Sequence, residues 1–138
     1  MHNRIDLFLE LEHVFRLFFR QYRKDLNKLI GDTMTGTEYS FLYHLSTKSP
    51  QIVTELSQEF HVSVSHITHI IDQLESKELV FRRRSQTDKR VVEIHISEQG
   101  NSCVNEISQR KHEYIAAQFS KLTTNELVKL TQLFKKMM

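Results

Sequence analysis

A mainly α-helical fold with one small β-hairpin follows from three observations. Only three glycines and one proline occur in 138 residues, which leaves little room for long loops or many tight turns. Apolar residues recur at three- and four-residue steps over both ends of the chain. One stretch, residues 80–96, instead alternates like two paired strands around a basic tip. The length fits a single domain over 1–138, in which helical segments 4–30 and 97–138 flank a lobe at 35–96.

The first helix spans residues 4–30. Leu7, Leu11, Val14 or Phe15, Phe18, Tyr22, Leu26 and Leu29 form its apolar stripe, and Gly31 ends it. Phe8, Leu9, Leu17 and Phe19 widen that stripe beyond what one helix can hide in a small lobe, so part of it is expected to meet another chain. Thr35-Gly36-Thr37-Glu38 reads as a capping box, opening a helix that carries Tyr39, Leu42, Tyr43 and Leu45 to about Thr47. Ser49-Pro50 breaks the chain before an extended stretch at Gln51–Val53. A short helix, Thr54–Phe60, buries Leu56 and Phe60, four residues apart.

His61-Val62-Ser63 is a turn, and Ser63 caps a second helix running to about Glu78. Val64, Ile67, Ile71 and Leu74 mark its inward face. Ser65, His66, Thr68, His69, Asp72 and Gln73 mark the outward one. Leu79-Val80-Phe81 begins a strand, Val92, Ile94 and Ile96 lie on its return partner, and Arg84–Arg90 is the tip between them. Ser97 caps a long helix to about Ser120, with Val104, Ile107, Tyr114 or Ile115, and Phe119 inward. Thr123-Thr124-Asn125-Glu126 repeats the capping box for a last helix carrying Leu127, Leu130, Leu133 and Phe134. Helix, turn, helix and basic hairpin in this order make a winged helix-turn-helix. That arrangement puts a polar helix face where it can enter a DNA major groove, with a charged loop beside it.

The charge distribution agrees. The chain is only +2 overall, but residues 77–90 hold Lys77, Arg82, Arg83, Arg84, Lys89 and Arg90 against Glu78 and Asp88, a local excess of +4. Alone, such a run reads as a solvated face; beside a helix-turn-helix it is the footprint of a phosphate-binding surface. The single cysteine, Cys103, excludes an internal disulfide and reads as a buried, inert thiol. No secretory or membrane-spanning run occurs, so a soluble cytoplasmic protein with no membrane partner is expected. No Gly-rich phosphate loop, nucleophile motif or metal-ligand set is present, which argues against an enzyme and implies no cofactor.

Residues 62–68, Leu74-Glu75-Ser76-Lys77-Glu78-Leu79-Val80, Arg83, Asp88-Lys89-Arg90 and Ile96-Ser97-Glu98-Gln99-Gly100 resemble the MarR (multiple antibiotic resistance regulator) family. The resemblance extends over roughly residues 5 to 136. It departs from the family pattern at Glu78, where glycine is usual, and at Gln86-Thr87, which lacks a proline before Asp88.

The resemblance implies a homodimer whose end helices form the dimerisation layer, and a repressor that binds double-stranded DNA at a pseudo-palindromic site. It further implies a crevice between layer and lobe that takes a small anionic or aromatic effector. Arg90 is then the expected minor-groove residue, with Asp88 holding its guanidinium. Arg82, Arg84 and Lys89 are expected on phosphates. Ser65, His66, Thr68 and His69 are the base-edge candidates, and Ser63 and Gln73 complete the DNA-binding set. His66 and His69 lack a third ligand, so no metal is expected there. His44, His112 and Glu38 flank the crevice, where some family members bind zinc, but local packing or exposure accounts for them. Arg16, Arg20, Arg23 and Lys24 either face the crevice or form a solvated helix face. The competing reading is a winged-helix architectural or protein-interaction module without an effector.

Overall fold

The computed structural model describes residues 3–138; residues 1 and 2 of the expected domain lie outside the described residues. Helix α1 (Arg4–Ile30) starts where the Asn3 side chain accepts the Ile5 N–H, and stops at Gly31, whose φ is 77°. None of its residues is buried in the single chain. Its C-terminal half packs on α5 (Glu98–Phe119): Phe18 meets Phe119, Tyr22 meets Tyr114, and the Tyr114 hydroxyl donates to Asp25 at 2.6 Å. That bond, with a smaller contribution from burial, pushes the Tyr114 pKa up to about 12.

The expected capping box opens α2 (Gly36–Thr47): the Glu38 N–H donates to Thr35 Oγ1 at 3.1 Å, and the Thr35 N–H to Glu38 Oε1 at 3.0 Å. Phe41, Leu42 and Leu45 of this helix form the centre of the core, against Leu56, Ile67, Ile71, Leu74, Ile94, Val104 and Ile107. Strand β1 is only Gln51–Ile52, and α3 (Val53–Phe60) begins one residue earlier than the sequence suggests. Glu55 reaches back to the Ile52 N–H at 3.4 Å, which draws Val53 into the first turn.

The turn is made by His61 in a left-handed conformation, while Ser57 Oγ donates to the Val62 carbonyl. Helix α4 (Val64–Ser76) is capped as expected, with the His66 N–H on Ser63 Oγ at 3.1 Å. Its buried face is Ile67, Ile70, Ile71 and Leu74. Val64, expected inward, is 48% exposed. As the first helical residue it overhangs the edge of the core, whereas Ile70 lies on the same helix face as Ile67, Ile71 and Leu74.

The helix ends two residues sooner than the sequence suggests, at Ser76, because Glu78 takes the left-handed position with φ 62° and turns the chain. The Leu79 N–H then donates to the Leu74 carbonyl at 3.0 Å, closing the helix in the manner usually served by glycine. Glu78→Gly is therefore expected to stabilise the fold by up to about 1 kcal/mol, a rise in Tm of about 3 °C in a thermal melt followed by circular dichroism. An unchanged or lower Tm would show that the left-handed residue carries no strain here.

Strands β2 (Val80–Arg84) and β3 (Val92–Ile96) form the hairpin, and β1 adds to the outer edge of β3, giving the antiparallel order β1-β3-β2. The first turn of α5 is clasped to the α4–β2 junction. The Ser97 N–H donates to the Leu79 carbonyl at 3.0 Å, and its hydroxyl donates to the Glu78 carbonyl at 2.8 Å while accepting the Gly100 N–H at 2.9 Å. Helix α6 (Thr124–Met137) starts at the second capping box, Thr123 with Glu126. Among the described residues no helix is long and apolar enough to cross a membrane.

Candidate nucleic-acid interface

Helix α4 offers Ser65, His66, His69 and Gln73 to solvent, with Thr68 half-buried. All carry hydrogen-bonding groups suited to base edges. The Thr68 hydroxyl donates to the Val64 carbonyl at 2.9 Å, which leaves its oxygen free to accept. Ser63 and Ser65 hydroxyls lie 3.2 Å apart at the helix start. His66 and His69 share the face, but among the described residues no group of three His, Cys, Asp or Glu side chains converges as a metal site.

At the wing tip, Asp88 grips Arg90 three times. Oδ1 accepts both the Arg90 backbone N–H and Nε–H at 3.1 Å, and Oδ2 accepts from a terminal guanidinium nitrogen at 3.2 Å. These bonds, the side-chain ones first, hold the Asp88 carboxyl below the ordinary carboxylate range. Arg90 is 90% exposed at the side chain, so its guanidinium is aimed outward and pre-oriented. Beneath it the buried Ser85 hydroxyl accepts the N–H groups of Thr87 and Asp88, shaping the turn. Arg84 donates to the Lys89 carbonyl at 2.8 Å, and Lys89 itself is exposed.

Arg82 is placed differently from the free phosphate cation anticipated. Its two terminal nitrogens donate to Glu75 Oε1 at 2.5 Å and to Asp72 Oδ1 at 2.7 Å, both on α4. Sequence reasoning set Asp72 among the outward polar residues and gave Glu75 no role. Their separations of 10 and 7 residues from Arg82 hid the contact. Arg83 lies on the other face of the strand, over the Phe81 ring, which itself stacks on His95.

A cavity of about 540 Å³ opens between α1, α2 and α5, lined by Tyr39, Tyr43, Arg23, Lys111 and His112 with apolar neighbours. Of the basic row considered from the sequence, Arg23 alone lines it; Arg16 pairs instead with Glu12 at 3.3 Å. His44 and Glu38 are elsewhere. His44 bonds Gln51 at 3.3 Å on the outer side of α2, and Glu38 takes Lys77 Nζ at 3.0 Å. Burial acts to raise the Glu38 pKa, but the Thr35 N–H and Lys77 outweigh it and leave the carboxyl below its ordinary value. Cys103 is half-buried, and that burial, with Glu106 nearby, pushes its thiol pKa up.

A family model described as transcriptional regulator SarA/Rot matches residues 26–107, which includes the helix-turn-helix, the wing and the first turns of α5. The chain belongs to the SarA/Rot transcriptional regulators, of MarR type. This MarR-type regulator is 34% identical over 134 residues to the HTH-type transcriptional regulator YpoP of Bacillus subtilis, covering 97% of this chain and 95% of YpoP. Its fold is that of the Bacillus subtilis YusO crystal structure, with a TM-score of 0.89 at 20% identity, covering 99% of this chain and 97% of YusO. It also matches a mutant of MarR from Escherichia coli complexed with operator DNA, with a TM-score of 0.71 at 21% identity and 99% of both chains covered. The regulators of this family are not enzymes.

Proposed function

We propose that the protein is a homodimeric repressor that binds double-stranded DNA sequence-specifically at a pseudo-palindromic operator. The observation that carries this is the Arg90 fork, held outward by Asp88 beside the exposed polar face of α4. One element suits a major groove and the other an adjacent narrow minor groove, where guanidinium groups are favoured by the deepened negative potential. Lys89, beside the fork on the exposed tip, and Arg84, which holds the tip through the Lys89 carbonyl, would meet phosphates and set affinity and salt dependence. Ser63, Ser65, His66, Thr68, His69 and Gln73 would read or position the major-groove edge. Repression needs no further surface, since occupancy of a site overlapping a promoter excludes the polymerase.

The dimer reading is supported by the apolar residues that the single chain leaves uncovered: Ile5, Phe8, Leu9, Leu11, Val14 and Phe15 of α1, and Val128, Leu133 and Met137 of α6. So many large apolar side chains left exposed on two helices are more than a monomeric surface usually carries. Two recognition helices about a two-fold axis then require half-sites about one helical turn apart. The cavity between α1, α2 and α5 is of a size for a small ligand, and Arg23, Lys111 and the two tyrosines suit an anionic or aromatic effector. Such an effector would release DNA only by binding better to a conformation with the wrong helix spacing.

Genomic-fragment selection with the purified protein tests the reading. An enriched palindrome is expected, and Arg90→Ala is expected to weaken its binding by more than about tenfold, since a good charge-assisted contact is lost from each of the two half-sites. No enrichment, with affinity set by salt alone, would instead point to an architectural or protein-binding module.

A further inference from the structure

The Arg82 clamp bears on how the two DNA-reading elements are held relative to each other. Asp72 and Glu75 stand three residues apart on one face of α4, and a single guanidinium on β2 bridges both carboxylates. Planar two-pronged pairing of this kind fixes direction as well as distance. Two residues along the same strand face, Arg84 holds the Lys89 carbonyl at the tip. The backbone of β2 thus joins the two Arg82 pairs on the recognition helix to the Arg84 bond at the turn that carries Asp88 and Arg90.

The charge balance argues against Arg82 as a phosphate contact. One guanidinium faces two carboxylates, so the cluster is net negative, and swinging Arg82 away to a phosphate would leave two solvated carboxylates repelling the duplex. Its side chain is 32% exposed, against 90% for Arg90.

We infer that Arg82, Asp72 and Glu75 form a positioning clamp that sets the span between the recognition helix and the wing tip, and thereby the protein's preference for its own site over other DNA. This rests on the DNA-binding reading above. The clamp touches no base; it makes major-groove and minor-groove contacts possible on the same stretch of duplex. Free of it, each element can still meet phosphates, but the two no longer register together.

The decisive variant is Asp72→Ala/Glu75→Ala, which leaves Arg82 present and removes two negative charges per protomer from the surface facing DNA. Affinities for the selected site and for a scrambled duplex are measured at one salt concentration, with a thermal melt to establish that the variant is folded. Charge alone predicts tighter binding to both DNAs with the preference intact. The clamp predicts tighter binding to scrambled DNA and a preference reduced about tenfold. Arg82→Lys supplies a second arm that keeps the charge and loses the fork. A phosphate contact tolerates lysine, whereas the clamp again loses preference. Preference retained in either variant overturns the proposal. Wild-type protein that binds both duplexes alike would sink the DNA-binding reading itself, and the clamp with it, so the two failures are told apart by the wild-type control.

Discussion

Gly100→Ala is expected to lower the melting temperature by about 10 °C. A Cβ at this position would overlap the Leu79 carbonyl oxygen and lie 2.8 Å from Ile96 Cγ1. The first of these is backbone, so it cannot swing aside. That carbonyl also accepts the Ser97 N–H, and the extra methyl must push α5 away from the end of α4 and stretch this bond. Overpacking at a rigid contact costs about 3 kcal/mol, and about 3–4 °C is lost per kcal/mol in a chain of this size. Gly36→Ala is the matched control. Its added Cβ would meet only Asn27 Oδ1, at 3.6 Å, an ordinary contact, and an alanine in the first helical turn favours the helix. Circular dichroism melts of both variants decide the matter. Equal melting temperatures would mean that the α5 junction is soft enough to absorb a methyl group.

The second large effect is expected at the uncovered face of α1. Phe8→Glu combined with Leu11→Glu should convert a dimer into a folded monomer, and should weaken operator binding a hundredfold or more. Both residues are more than half exposed in the single chain, at 55% and 62%, so the lobe's own core is untouched. In a dimer they would be covered, and two carboxylates per chain would have to be buried without partners. Separation of the protomers removes the second half-site from the effective concentration that linkage provides, which is worth about a hundredfold or more. Light scattering gives the mass and a melt reports the fold. A variant that stays dimeric would place the association surface elsewhere.

Features set by neighbours in sequence are legible from the residues alone. Thr35 with Glu38, Thr123 with Glu126, and the caps at Ser63 and Ser97 are made within three residues, and each is present. The Asp88–Arg90 fork, two residues apart, was equally readable. What depends on how elements dock was not. Periodicity gives the width of an apolar stripe on α4 but not its centre, and docking shifts that centre so that Ile70 is buried and Val64 is exposed. A run of arginines on β2 reads as one basic patch, yet strand alternation sends Arg82 to α4 and Arg83 over Phe81 on the opposite face. The lining of the crevice likewise depends on the azimuth of α1, which admits Arg23 and leaves Arg16 paired with Glu12. The left-handed turn at Glu78 was foreseeable as a position wanting glycine, and the chain adopts it regardless.

The clasp of Ser97 and Gly100 onto the Glu78–Leu79 junction makes α5 and the recognition helix a single lever. Because the first turn of α5 is bonded to Glu78 and Leu79, just past the end of α4, a rotation of one is passed to the other. The cavity-lining residues of α5 reach Ile115, about 25 Å along the helix from its first turn, so a tilt of about 5° there sweeps the first turn through about 2 Å. Under the proposed reading, a slight change of packing around the cavity would in this way reach the recognition helix as a shift that a fixed groove spacing resists.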